Sequence, residues 1–336
     1  MTNKIENNIQ FIAALMIFSF LCFVFPALYP DMFTLSAQKI EVTISGGMSA
    51  KQAAKVLQEA GVVKDSNKLI KWMVKLGIDR SLKAGTYLIA PGDEISVANQ
   101  LKTSSPQTLN VTIIPGTRYS ALIKALKLPE DNDEQLLNAL SEKENFPLEL
   151  HLLLPDKPKD RIIFLLPETY SIAPGNNVAA QAVKRASKLW MERVGKHLIE
   201  NADKKFAVER GILASIVEGE AKIKEERPIL AGIFLNRIKE RMPLQSCATV
   251  IFCWDELGIK KKSLTYKDLE IDSVYNTYKN YGLPPGPISI PSEGSWISAL
   301  NPEMTDFLFF FATANGNHIF SKTYEEHLKK QRQKTE

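Results

Sequence analysis

Residues 206–220, Phe206-Ala207-Val208-Glu209-Arg210-Gly211-Ile212-Leu213-Ala214-Ser215-Ile216-Val217-Glu218-Gly219-Glu220, hold the pattern on which the fold and the chemistry both turn. Ile212, Leu213, Ile216 and Val217 form one stripe at 100° per residue, which predicts an amphipathic helix with that stripe on a core. The stripe's mean direction lies close to that of Glu220, and Glu218 points nearly the opposite way. Ala214 and Ser215, one turn earlier, flank Glu218 with small side chains and leave a floor with room for a ligand. Two acids two residues apart do not share a helix face. Glu218 is therefore expected to be the reactive carboxylate. Glu220 is expected to be structural, turned to the apolar side and in need of a partner such as Arg227 or Arg237. A bend at Gly219 would alter that geometry.

Downstream, Glu225-Glu226-Arg227-Pro228 leads into a second apolar helix, Ile229 to Ile238, ending in Asn236-Arg237. Taken alone, such charges are more often a solvated face than a site. Upstream, Val178 to about Asn201 reads as a long amphipathic helix, and Ile162–Leu166 as a buried apolar run closed by Pro167. Tyr119 to about Lys159 is helical and charged but broken by Pro129, Pro147, Pro155 and Pro158, and is read as a mixed connecting region. Leu109–Ile114 is a strand ending at Pro115-Gly116, and Thr103-Ser104-Ser105-Pro106 a linker. Nearer the N-terminus, Ile40, Val42 and Ile44 alternate with polar residues as in a short strand. A helix follows Ser49, with Gly61 as its C-cap, then a second helix over Ser66–Leu76 and a strand over Gly85–Ile89. The expected class is α+β, with a small α+β module at 38–104 and a larger mixed α+β catalytic region at 105–336.

At 336 residues the chain exceeds one ordinary core, so two or more folded units are expected. Its net charge of +4 is too small to argue for nucleic acid. It has no zinc-type cysteine spacing and no Gly-rich phosphate cradle, so no metal and no cofactor are expected. From Ile9 to Leu28 no charged residue occurs. About 20 apolar residues suit a helix crossing a bilayer, so 9–29 is read as a retained anchor after a short cytoplasmic segment, 1–8. A cleavable signal peptide is the rival, but the bulky Phe23, Val24 and Phe25 occupy the end of the run. Cys247 and Cys253 stand six residues apart, too far along a helix or strand for a disulfide, and are expected as free thiols.

Several motifs add up to a family pattern. Leu213–Glu220 is followed by Glu226-Arg227, Phe234-Leu235-Asn236-Arg237, Leu244-Gln245-Ser246, Tyr275-Asn276-Thr277-Tyr278 and Gly282-Leu283-Pro284-Pro285-Gly286-Pro287-Ile288. Phe164–Tyr170 and His318-Ile319-Phe320-Ser321, with Tyr324 and His327, fit as well. In these motifs the chain resembles the YceG-like endolytic murein transglycosylase family, and the 38–104 module, with its Leu82–Tyr87 segment, resembles a LysM-like unit. The resemblance implies a single-pass protein of the inner membrane whose exported domain cuts nascent peptidoglycan glycan strands internally. It puts the catalytic glutamate on Glu218. It also implies contact with membrane-bound glycan polymerases or penicillin-binding proteins. Three positions depart from the family: Cys247-Ala248 stands where Asp-Pro is usual, and Val274 where proline is common.

A lytic transglycosylase needs one carboxylate, not the pair of a hydrolysing glycosidase. Glu218, expected protonated in a mainly apolar cleft, would protonate the glycosidic oxygen. The C6 hydroxyl of the N-acetylmuramic acid would then close a 1,6-anhydro ring. Tyr275 and Tyr278 are candidates to stack on sugars, Asn276 and Gln245 to bind N-acetyl groups, and Ser215 to border the ligand. Glu220, Glu226, Arg227, Arg237 and His318 are expected in support. Core packing is an equal alternative for the tyrosines, and structural hydrogen bonding the reading for His318 and His327. Two rival functions remain: a hydrolytic muramidase pairing Glu218 with Glu220 or Asp272, and a membrane-tethered glycan-binding scaffold without catalysis.

Overall fold

The computed structural model describes residues 39–45, 47–128, 133–174, 177–198, 203–261, 263–313 and 315–335. It divides into two compact units, with the boundary between Thr108 and Leu109. The expected anchor at 9–29 lies outside the described residues. Among the described residues no helix is long and apolar enough to cross a membrane.

In the first unit, strand β1 (Ile40–Ile44) pairs antiparallel with β2 (Gly85–Ile89), Ile40 opposite Ile89 and Ile44 opposite Gly85. Between them run α1 (Ala50–Glu59) and α2 (Ser66–Lys75). Ser49 and Gln52 close a capping box at the start of α1, and Asp65 accepts the Asn67 and Lys68 amides at α2. These side chains satisfy amides that the first helical turn cannot. Val42, Ile44, Leu57, Leu69, Met73 and Ile89 form the core. A third helix, α3 (Glu94–Thr103), completes that core through Val97, Ala98 and Leu101. It is absent from the sequence reading, although Asp93 caps it.

The second unit holds two further antiparallel pairs, β3 (Leu109–Thr112) with β4 (Thr169–Ile172) and β5 (Phe309–Ala312) with β6 (His318–Ser321). The stretch from Tyr119 to Lys159 is not a connector. It folds into α4 (Tyr119–Ala125), α5 (Asp133–Ser141) and short 3-10 turns. Leu122, Leu136, Leu140, Phe146 and Leu150 from it sit in the main core. Its prolines punctuate short elements, each too brief to show a hydrophobic period. A 3-10 stretch, Pro158–Phe164, buries Ile162, Ile163 and Phe164. The long helix expected to reach Asn201 is α6 (Val178–Arg193), which gives way to a 3-10 turn at Gly195–His197.

Helix α7 (Lys204–Glu220) runs through this core, with Asp203 capping the Phe206 amide. Around it lie α8 (Arg227–Lys239), α9 (Cys247–Glu256) and α10 (Glu293–Leu300), and α11 (Tyr324–Thr335) follows β6. Trp296 of α10 donates to the Ile163 carbonyl at 2.9 Å and packs with Trp190 and Phe164 at 5.1 and 6.0 Å between ring centres. Buried aromatics of this size dominate local packing, so α10 is anchored firmly against α7.

Candidate active site

The predicted stripe of α7 is buried, but Ala214 and Ser215 are buried too. From Gly211 to Val217 the helix is covered all round, and the open floor expected beside Glu218 is filled. Segment 288–292 fills it. The Ile288 amide donates to the Ser215 hydroxyl at 3.1 Å, and one helical turn on, Ser292 reaches Glu218. Ser215 also donates to the Ile212 carbonyl, so its hydroxyl belongs to the scaffold.

The Glu218 side chain is only 7% exposed. Its surroundings are polar, which corrects the expectation of an apolar cleft. Oε2 accepts from the Ser292 amide at 2.9 Å, the Ser292 hydroxyl at 2.5 Å and the Ser295 hydroxyl at 2.7 Å. All three donors come from the first turn of α10, where Ser292 is also the N-cap and accepts the Ser295 amide. Among the described residues Oε1 has a single long contact, 3.3 Å to Arg227 Nη2. The two oxygens are thus unlike: one saturated with donors, one nearly free. Arg227 is held close by the absence of a side chain at Gly294, where a methyl would stand 2.8 Å from Nη1. Its own Nε is buried with no hydrogen-bond partner among the described residues.

Arg227 therefore serves Glu218, and Glu220 finds its partners elsewhere. The helix continues unbroken through Gly219, and Glu220 Oε1 accepts the Ser246 hydroxyl at 2.5 Å and the Ala248 amide at 3.0 Å. These donors stand at the N-terminus of α9, where free amides and the helix dipole favour an anion. Arg237, 5% exposed, spends its guanidinium on the Leu308 and Leu244 carbonyls at 2.7 and 2.8 Å. Burial lowers its proton affinity. With Asn236, which donates to the Thr305 and Phe307 carbonyls, it clamps the chain leading into β5. His318 of β6 donates its amide to Glu226 at 2.9 Å and sets Nδ1 2.6 Å from the same carboxylate. That bond fixes the residue just before Arg227, so Glu226 and His318 act on the site at one remove.

The other sequence candidates divide. Asn276 is fully buried and bridges the Leu269 and Ile271 carbonyls, both at 2.8 Å, inside its own loop. Gln245 is exposed, with a positive φ of 48°. Tyr278 lies 3.3 Å from the Cys247 thiol, and burial of its hydroxyl raises the titration point of Tyr278. Tyr275 packs on Phe252 at 4.8 Å. Both described cysteines are free thiols, as the spacing predicted, Cys253 buried and Cys247 exposed. Sequence reasoning missed Ser292 and Ser295. Their signal was a Ser opening a helix with apolar Trp296, Ile297, Ala299 and Leu300 behind it.

Glu218 is thus a carboxylate gripped on one oxygen by three donors and met on the other by a guanidinium at 3.3 Å. The chain belongs to the YceG-like family, whose model matches residues 42–333. An endolytic murein transglycosylase of Bacillus subtilis (strain 168) is 31% identical over 307 residues, 88% of this chain and 84% of that protein. An endolytic murein transglycosylase of Streptococcus pneumoniae is 33% identical over 174 residues, 49% of this chain and 30% of its own. Among solved structures, a yceG-like protein of Listeria monocytogenes superposes with a TM-score of 0.54 at 30% identity, covering 88% of this chain and 99% of that one.

Proposed function

We propose that the chain is a peptidoglycan lytic transglycosylase in which Glu218 is both acid and base. The observation that carries this is the inequality of the two Glu218 oxygens. The Ser292 amide donates to Oε2 and cannot reverse its role, so Oε2 stays an acceptor through the cycle. Oε1 is left to carry the moving proton. Oε1–H protonates the glycosidic oxygen, and the C1–O bond to the leaving sugar breaks. The muramic ring passes through an oxocarbenium-like state, and its C6 hydroxyl bonds to C1 and returns its proton to Oε1. No water enters, because the nucleophile is already held within the substrate at high effective concentration. Arg227, 3.3 Å from Oε1, faces the negative charge left after the proton departs.

The hydrolytic alternative needs a second carboxylate across the scissile bond. Glu220 spends its carboxylate on the Ser246 and Ala248 donors at the start of α9. Asp272 borders a small hollow with Cys253 and Leu257, near the far end of α9. Neither placement favours that reading. The anchor at 9–29, the inner-membrane location with an exported catalytic unit, LysM-like glycan binding by the first unit and contact with glycan polymerases or penicillin-binding proteins belong to the same proposal. They rest on the sequence patterns and the family.

The test is product mass on polymeric, uncrosslinked glycan. Wild type should release fragments with 1,6-anhydro ends, and Glu218→Gln should leave strand length unchanged. Reducing ends alone would mean hydrolysis. A wild type that leaves strands intact would mean a binding scaffold, and a mutant that cuts like wild type would remove Glu218 from the chemistry.

A further inference from the structure

A cavity of about 680 Å³ opens beside the far end of α9, bounded by α4, α5, the 3-10 stretch Pro158–Phe164 and Pro287-Ile288. That volume lies within the range of ordinary ligand sites. Its walls combine the rings of Tyr119, Phe252 and Tyr275 with several carboxylates. Two of the acids are committed: Asp133 accepts from Tyr119 and from Lys159 at 3.2 Å, and Asp255 pairs with Arg118. Asp160 and Glu256 form no ion pair or side-chain hydrogen bond among the described residues, and the Tyr275 hydroxyl has no hydrogen-bond partner among them. Asp160 Oδ1 and the Tyr275 hydroxyl both stand within 3 Å of where a methyl on Gly286 would lie, at 2.7 and 2.8 Å. Glycine at 286 is what lets the carboxylate and the phenol converge. A second hollow of about 500 Å³ shares Lys157 and Asp160 with the first and runs on past Pro285. We read the two, which meet at Lys157 and Asp160, as one trough, a shape that suits a polymer.

We infer that this trough is a glycan subsite, taking an N-acetylated pyranose of the strand remote from the bond that is cut. Such a sugar offers hydroxyl and amide donors to Asp160 and Glu256, and an apolar ring face to Phe252 and Tyr275. Asp160 is half-buried and Glu256 exposed, and a half-buried acceptor without a partner favours a ligand that brings donors over one that brings only apolar surface. The inference rests on the transglycosylase reading and deepens it. Ile288, a wall of the trough, and Ser292, bonded to Glu218, are four residues apart, at most about 14 Å of extended chain. A sugar held in the trough therefore lies one or a few units from the scissile bond, and its grip fixes the register of cutting.

The experiment uses the full chain carrying Glu218→Gln, titrated with the tetramer of β-1,4-linked N-acetylglucosamine. Adding Asp160→Ala with Glu256→Ala should weaken binding about tenfold or more, from loss of hydrogen bonds to charged acceptors. Ser120→Trp, at an exposed position on the rim, should do the same by filling the mouth. In the active chain these changes should shift the lengths of the fragments while their ends remain anhydro. Unaltered affinity and fragment lengths in both variants would overturn the subsite, as would a chain that does not bind the tetramer at all. Equal affinity for free lysine, competing with the tetramer, would make it an amine site and overturn the glycan assignment. If wild type makes no anhydro ends, the transglycosylase reading fails on its own, while the titration still reports on the trough.

Discussion

Ser292 does two jobs with one hydroxyl, accepting the Ser295 amide as helix cap and donating to Glu218. The jobs can be separated. Ser292→Ala loses both, Ser292→Thr keeps both, and Ser292→Asp keeps the cap but sets a second carboxylate against the first. A hydrogen bond to a charged group is worth about 1.5–3 kcal/mol, so Ser292→Ala should lower kcat by about 10- to 100-fold with little change in KM. Ser292→Thr should restore most of the rate, and Ser292→Asp should be at least as slow as Ala even though it keeps the cap. An active Asp variant would reduce Ser292 to a cap. Helical spacing separated the two acids by face, and in the structure they do take different partners. It failed to name them. Glu218 and Ser292 are 74 residues apart, and no local pattern announces which donor will arrive from that distance. Arg227, which with Arg237 was a candidate partner for Glu220, pairs with Glu218 instead.

At the scale of elements, the α7–α9 contact is tight enough to decide between opposing effects. A methyl added at Gly219 would stand 2.6 Å from the Ala248 side chain. Alanine for glycine favours a helix by about 1 kcal/mol, whereas overpacking costs about 1–3 kcal/mol. The contact should win, because moving α9 would also draw the Ala248 amide away from Glu220. Gly219→Ala is thus expected to be destabilising in urea unfolding, and Gly219→Ala with Ala248→Gly should recover most of the loss. A single mutant as stable as wild type would show that the helices separate freely. Ala248 supplies both the methyl and an amide that proline would lack. Elements with a clear period, such as α1, α2 and β1, were legible in the sequence. Helices of seven to ten residues between prolines were not, and α3 escaped notice although Asp93 opens it with a good cap.

For the whole molecule, the trough sets stability against function, and Asp160 makes the conflict measurable. Burial raises the titration point of its carboxyl above the ordinary value. Between the unfolded and folded values, from about pH 4 upward, the folded chain holds a proton that the unfolded chain has lost. The folded state then binds more protons, so stability falls as pH rises through that window, and the loss is complete above the folded value. Asp160→Asn removes the titration while keeping shape. It should raise the urea midpoint at neutral pH and flatten the dependence of stability on pH above about 4. The same change should weaken the glycan tetramer, so saturating tetramer should stabilise wild type more than the variant. A gain in stability with undiminished tetramer binding would mean that the strain at Asp160 serves something other than the strand. No gain at all would mean that water reaches the carboxylate freely, and that its exposure to the trough costs the fold nothing.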